Sequence, residues 1–125
     1  MATILIIEDN ATNMQLAVFL LQSAGHVVLS ATSAEVGLDL ARAEHPQLVL
    51  MDLQLPGMDG LEATALLKGD VSTRAIPVIA LTALAMKGDE ARIRAAGCDG
   101  YIAKPMAYQE FLATVAAQLA ARVAP

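Results

Sequence analysis

A chain of 125 residues with a net charge of −5, a hydrophobic fraction of 56% and a single cysteine excludes several classes at once. The length suits one domain over residues 1–125, large enough to bury about two-thirds of its unfolded surface. The lone cysteine rules out an internal disulfide, and the acidic balance leaves no electrostatic footprint for nucleic acid or for a membrane surface. The longest wholly apolar run, Leu16–Leu21, falls far short of the ~20 residues that span a bilayer. No basic segment leads into an apolar core and cleavage site, so the expected location is cytoplasmic.

Along the chain, strand-like apolar runs at Thr3–Ile7, Val27–Ser30, Leu48–Met51, Val78–Leu81 and Asp99–Ala103 alternate with helical stretches. The helices are expected over Thr12–Ala24, Ala34–Glu44, Leu61–Lys68, Leu84–Ala96 and Ala107–Val123. Gly25 supplies the stop signal of the first helix. Thr32-Ser33-Ala34-Glu35 has the spacing of a capping box opening the second. Phe111, Val115 and Leu119, with Leu112 beside them, recur at helical period and mark the buried face of the last. The fourth is the weak one: Gly88 costs about 1 kcal/mol against alanine, and Met86–Glu90 carries no clean apolar stripe. Strict alternation of strand and helix implies right-handed crossovers and a parallel sheet between helical layers.

The polar residues fall in a pattern. Strand one stops at Glu8-Asp9, strand three at Asp52, strand four at Thr82 and strand five at Lys104, so all lie along one edge of a parallel sheet. Acids after strands one and three flank the switch point at which open α/β sheets bind ligands. Carboxylates gathered there raise one another's pKa unless a cation intervenes, and hard oxygen donors favour Mg²⁺, with Mn²⁺ as a substitute. His26 and His45 stand alone and read as surface residues, so nothing suggests zinc. Acids, a divalent ion, a lysine and a threonine hydroxyl suit phosphoryl transfer, in which positioning and charge neutralisation do most of the catalysis.

In this order and spacing, Ile6-Ile7-Glu8-Asp9-Asn10, Asp52 within Leu50–Gly60, Leu81-Thr82-Ala83 and Tyr101-Ile102-Ala103-Lys104-Pro105 resemble the response-regulator receiver domains of two-component signalling. The resemblance covers the whole chain. The segment Thr82–Gly97 with Cys98-Asp99 is similar both to single-domain receivers of bacterial cell-cycle control and to receivers attached to hybrid histidine kinases. It implies a flavodoxin-like (CheY-like) three-layer α/β sandwich, with five parallel strands in the order 2-1-3-4-5 and five helices. It further implies that Asp52 accepts a phosphoryl group from phosphohistidine on a histidine kinase or histidine phosphotransfer protein. Asp9 and Asp52 would ligate Mg²⁺, with the backbone carbonyl of Gln54, and Glu8 would act mainly through water. Lys104 would pair with a phosphoryl oxygen, and the Lys104-Pro105 bond would be cis. Thr82 and Tyr101 would form the switch, changing a protein-binding face on helix four, strand five and helix five toward a downstream target. Such a domain catalyses its own phosphorylation and dephosphorylation without being an enzyme for an external substrate. Ala83 should leave the site open to donor and water, and Cys98 reads as a small core or loop residue.

Other readings make different demands. A flavodoxin-type electron carrier needs hydroxyls and glycines after strand one, where Glu8-Asp9-Asn10 would repel a flavin phosphate. A phosphatase using Asp52 needs a general acid two residues on, where Gln54 stands. An adaptor that has lost the chemistry would not need the complete polar set. The initiator Met1 and the lack of an effector region after Val123 lean toward a free-standing domain. The alternative is a receiver excised from a hybrid kinase or larger regulator, acting as a relay module.

Overall fold

The computed structural model describes residues 2–82, 87–104 and 107–123, the side chains of 87–89 and 122–123 excepted. Ten elements alternate along the chain: β1 (Thr3–Ile7), α1 (Ala11–Ser23), β2 (Val27–Ala31), α2 (Ala34–Glu44), β3 (Leu48–Asp52), α3 (Gly60–Gly69), β4 (Val78–Thr82), α4 (Lys87–Ala95), β5 (Gly100–Ala103) and α5 (Tyr108–Val123). The strands form one sheet in the order β2-β1-β3-β4-β5, every neighbouring pair parallel. This is the architecture implied by the resemblance. Among the described residues, no helix is long and apolar enough to cross a membrane.

The pleat sorts the core into two layers, because successive side chains of a strand point to opposite faces. Leu5 and Ile7 of β1, Val49 and Met51 of β3, and Val78 and Ala80 of β4 pack with Leu38 of α2, Leu67 of α3 and Ile93 of α4. Ile4, Ile6, Leu48, Leu50, Ile79 and Leu81 pack on the other face with Leu20 and Leu21 of α1 and with Phe111 and Val115 of α5. Apart from Thr3, Asp52 and Thr82 at their ends, the three inner strands are apolar because both faces are covered.

Local signals act at most of the expected places, with three differences. Ser33, not Thr32, caps α2: its hydroxyl accepts the Val36 N–H at 3.3 Å, which puts Glu35 one position too early to close a capping box. β5 begins at Gly100 because the Asp99 side chain instead accepts the Val78 N–H, at 2.8 Å. His26 is half-buried, its Nδ1 accepting the Ala2 N–H at 3.2 Å, and burial lowers its pKa. His45 is exposed and closes α2 in the left-handed region at φ 48°. Phe111 and Val115 form the expected buried face of α5, with Leu112 and Leu119 packed against the same core. Cys98 is buried in the core, as expected, and burial raises its thiol pKa. Leu84 as the start of the fourth helix, Met86 in its first turn, Ala83 beside Thr82, and the Lys104-Pro105 bond lie outside the described residues.

Candidate functional site

The pleat that sorts the core also builds the site. Ile4 and Ile6 of β1, Leu48 and Leu50 of β3, and Ile102 of β5 share the face covered by α1 and α5. Counting on by twos, the next residues on that face are Glu8, Asp52 and Lys104, at the C-terminal edge. The ladder continues far enough to hold them in register, with Glu8 N–H donating to Ala31 O at 3.0 Å and Lys104 N–H to Thr82 O at 2.8 Å. These side chains converge on an open cleft of about 520 Å³ lined by Glu8, Asp9, Asn10, Ala11, Asn13, Asp52, Gln54 and Lys104.

Lys104 bridges the acids: its Nζ donates to Glu8 Oε1 at 2.8 Å and lies 3.3 Å from Asp52 Oδ1. Glu8 Oε2 accepts the Asn10 N–H at 3.2 Å, and Asp52 Oδ1 accepts the Gln54 N–H at 3.1 Å. Glu8 and Asp52 are 1% and 2% exposed, whereas Asp9 stands in solvent. Burial, and then a hydrogen bond shared with Asp52, hold the Glu8 carboxyl above its ordinary pKa, against Lys104 and the Asn10 N–H. Burial also pushes Asp52 up, but the bond from Glu8, the Gln54 N–H and the Lys104 charge outweigh it, and Asp52 is lowered. Burial acts to lower Lys104, yet its bond to Glu8 and the charges of Asp52 and Glu8 raise it. The two buried acids are thus pushed apart, Glu8 upward and Asp52 downward, on either side of the Lys104 ammonium.

One oxygen from each of Glu8, Asp9 and Asp52 lies within 4.8 Å of the others. A donor set made only of carboxylate oxygens, with one lysine against three acids, fits a hard divalent cation.

Thr82 stands apart from this group. Its side chain has the parity of Ala80, on the α3–α4 face, and it is wholly buried. It lines a separate cavity of about 90 Å³ with Leu53, Gln54, Asp59, Leu61, Arg92 and Ile93. Gln54 borders both spaces. Tyr101 lies on the surface, its hydroxyl 3.5 Å from Glu90 Oε2 on α4. The strand ends thus bring Glu8, Asp9, Asp52 and Lys104 together, with Thr82 one pleat away.

Sequence reasoning missed three contributors. Asn10 caps α1 by accepting the Asn13 N–H at 2.9 Å, and both asparagines line the cleft. The Asn-x-x-Asn spacing directly after the acid pair is the signal that marks them. Gly60 lets α3 start against the end of β3: a Cβ there would meet the Asp52 carbonyl and come within 2.8 Å of Leu53 Cα.

The profile of the response regulator receiver domain matches residues 4–116. The chain belongs to this family. Among its relatives is the polar-differentiation response regulator DivK of Brucella ovis, 49% identical over 117 residues, which cover 94% of this chain and 95% of that one. DivK of Brucella anthropi is 47% identical over the same span. The receiver domain of a sensor histidine kinase from Pseudomonas aeruginosa, solved with a magnesium ion coordinated in its active-site cleft, is 31% identical. It has a TM-score of 0.88, covering 95% of this chain and 98% of that one. A CheY-like receiver domain protein from Methanospirillum hungatei has the same TM-score at 27% identity, covering 96% and 94%.

Proposed function

We propose that this receiver domain takes a phosphoryl group from a phosphohistidine, on a histidine kinase or histidine phosphotransfer protein, onto Asp52. The observation that carries the reading is a buried Asp52 at the floor of the acidic cleft, with the Lys104 ammonium 3.3 Å from Oδ1 and the carboxyl held below its ordinary pKa. Asp9 and Asp52, with the Gln54 carbonyl, would hold Mg²⁺, and Glu8 would act mainly through water because its own oxygens serve Lys104 and Asn10. Bound there, the ion supplies positive charge against the repulsion between a carboxylate and a phosphoryl dianion.

The chain's own residues do the rest. Asp52 Oδ1 already accepts the Gln54 N–H and faces Lys104, so Oδ2 is the oxygen proposed to attack. A new O–P bond forms as the P–N bond to imidazole breaks, and the electron pair returns to the ring nitrogen, which takes a proton. Lys104 turns from the acids to a phosphoryl oxygen, where a preorganised cation is worth most. The resulting mixed anhydride hydrolyses on the same domain, so the mark is transient and no external substrate is turned over.

The readout is a population shift. The Thr82 hydroxyl crosses from its cavity toward the new charge, and Tyr101 turns inward from its place beside Glu90. The face made by α4, β5 and α5 then meets a downstream protein, in control of polar differentiation as the names of the Brucella relatives suggest, in the cytoplasm.

Labelling with a radioactive phosphodonor tests the reading. Wild type should take up label only with Mg²⁺, and Asp52→Asn should take up none. Full labelling of Asp52→Asn would reject the assignment. Tyr101→Ala should label normally and bind its partner more weakly.

A further inference from the structure

Besides its carboxylates, the cleft is lined by three amides: Asn10 and Asn13 at the start of α1 and Gln54 after β3. Asn10 and Gln54 are exposed, whereas Asn13 is half-buried in the first turn of α1. Its backbone is pinned by the 2.9 Å bond from its N–H to Asn10 Oδ1, so the helix fixes where its side chain starts. Among the described residues the Asn13 side-chain amide makes no hydrogen bond, although it lines a cleft crowded with polar groups.

We propose that the Asn13 amide donates a hydrogen bond to a non-bridging oxygen of the phosphoryl group as it arrives, which makes Asn13 a phosphodonor-binding residue of this site. The proposal rests on the reading of Asp52 as acceptor. An incoming dianion meets Glu8, Asp9 and Asp52, and Lys104 is bonded to two of these acids before it arrives. A neutral donor on a separate, rigid element adds attraction with no further charge to neutralise, and it needs no rearrangement at the moment of transfer. A backbone cap leaves the side chain free for this role, since replacing it leaves the Asn10–Asn13 N–H bond in place.

Initial rates of labelling by acetyl phosphate and by phosphoramidate, at saturating Mg²⁺, test it in wild type, Asn13→Ala and Asn13→Asp. Small donors bypass any docking contact with a protein partner. Alanine is a better helix former than asparagine, so the variant should fold, and its thermal midpoint verifies this. Loss of one hydrogen bond to a charged group predicts labelling about tenfold slower in Asn13→Ala with both donors. Asn13→Asp, which adds another carboxylate, should be slower still. Rates for Asn13→Ala within about twofold of wild type would overturn the proposal at the precision such contacts are measured. So would a defect seen only with a phosphorylated protein donor, which would make Asn13 a docking contact. Wild type that labels and Asp52→Asn that does not keep the acceptor reading standing whatever Asn13 does. Failure of wild type to label overturns both.

Discussion

At the N-terminal edge of the sheet, Lys68 at the end of α3 donates to Ile76 O at 2.8 Å and to Asp99 Oδ2 at 3.0 Å, with Arg74 O at 3.5 Å. The same Asp99 oxygen accepts the Val78 N–H that opens β4. At the C-terminal edge, Lys104 also meets a carboxylate, at 2.8 Å, but this cation is shared with a second acid, Asp52, and a third, Asp9, stands beside them. A lysine and an aspartate thus occur at both ends of one sheet, with different consequences. The Lys68 cluster balances one charge with one and directs its remaining donors to carbonyls, so it ties α3 to β4 and β5. The Lys104 cluster sets one lysine against three acids, and such a surplus of carboxylates fits a divalent cation.

The sharpest break of this comparison exchanges the two lysines for methionine. Lys104→Met should lower labelling of Asp52 by at least about a hundredfold, the scale of losing one preorganised charge. Lys68→Met should label within about twofold of wild type while unfolding more easily by about 1–3 kcal/mol, because Ile76 O loses its lysine donor and Asp99 its ion-pair partner. Labelling and urea midpoints measured on the same preparations decide it. Loss of labelling in Lys68→Met with the fold intact would mean that the two edges are coupled.

A smaller effect is expected between the edges. In Gly60→Ala the new methyl meets backbone at Asp52 and Leu53, which cannot yield as a flexible side chain would, so α3 must back away. Overpacking of this kind costs about 1–3 kcal/mol, and the displaced end of β3 should also slow labelling severalfold. Normal labelling alongside a large stability loss would show that Asp52 keeps its place without α3.

The smallest concerns Asp70, beyond the end of α3. Hydrogen bonds from the Ser72 backbone and hydroxyl, then from Arg42, lower its pKa, with burial opposing. A depressed folded-state pKa gives stability that is full above the unfolded value of about 3.9 and is lost as pH falls through the folded one. The acid limb of a urea-midpoint profile should therefore be shallower in Asp70→Asn than in wild type. Superimposable limbs would assign the acid sensitivity to the C-terminal edge instead.

Much of this was legible before any coordinates. The strand runs differ from the observed ones by a residue at most, because an apolar run with no alternation has few ways to be buried other than between two helical layers. Glu8, Asp9, Asp52 and Lys104 were legible for the same reason: a polar residue directly after such a run must emerge at the C-terminal edge. Thr82 was placed at the right edge but not on its own face, since reading strand ends without counting parity merges the two sides of a sheet. Asn13 was missed because its Asn-x-x-Asn spacing with Asn10 was not read, and only the fold shows that this helix start borders the cleft. The Lys68–Asp99 contact joins residues 31 apart in sequence, and no pattern along the chain signals it.

Composition and periodicity by themselves determined the layers, the order of elements and which residues end the strands, because burial of apolar faces acts locally and repeats. Tertiary structure alone decided which lysine is a latch and which faces surplus acid, that Thr82 begins in a cavity of its own, and that an α1 amide borders the acidic cleft. Those outcomes depend on how distant segments stack and on the balance of charge where they meet, and neither quantity is carried by any single stretch of chain.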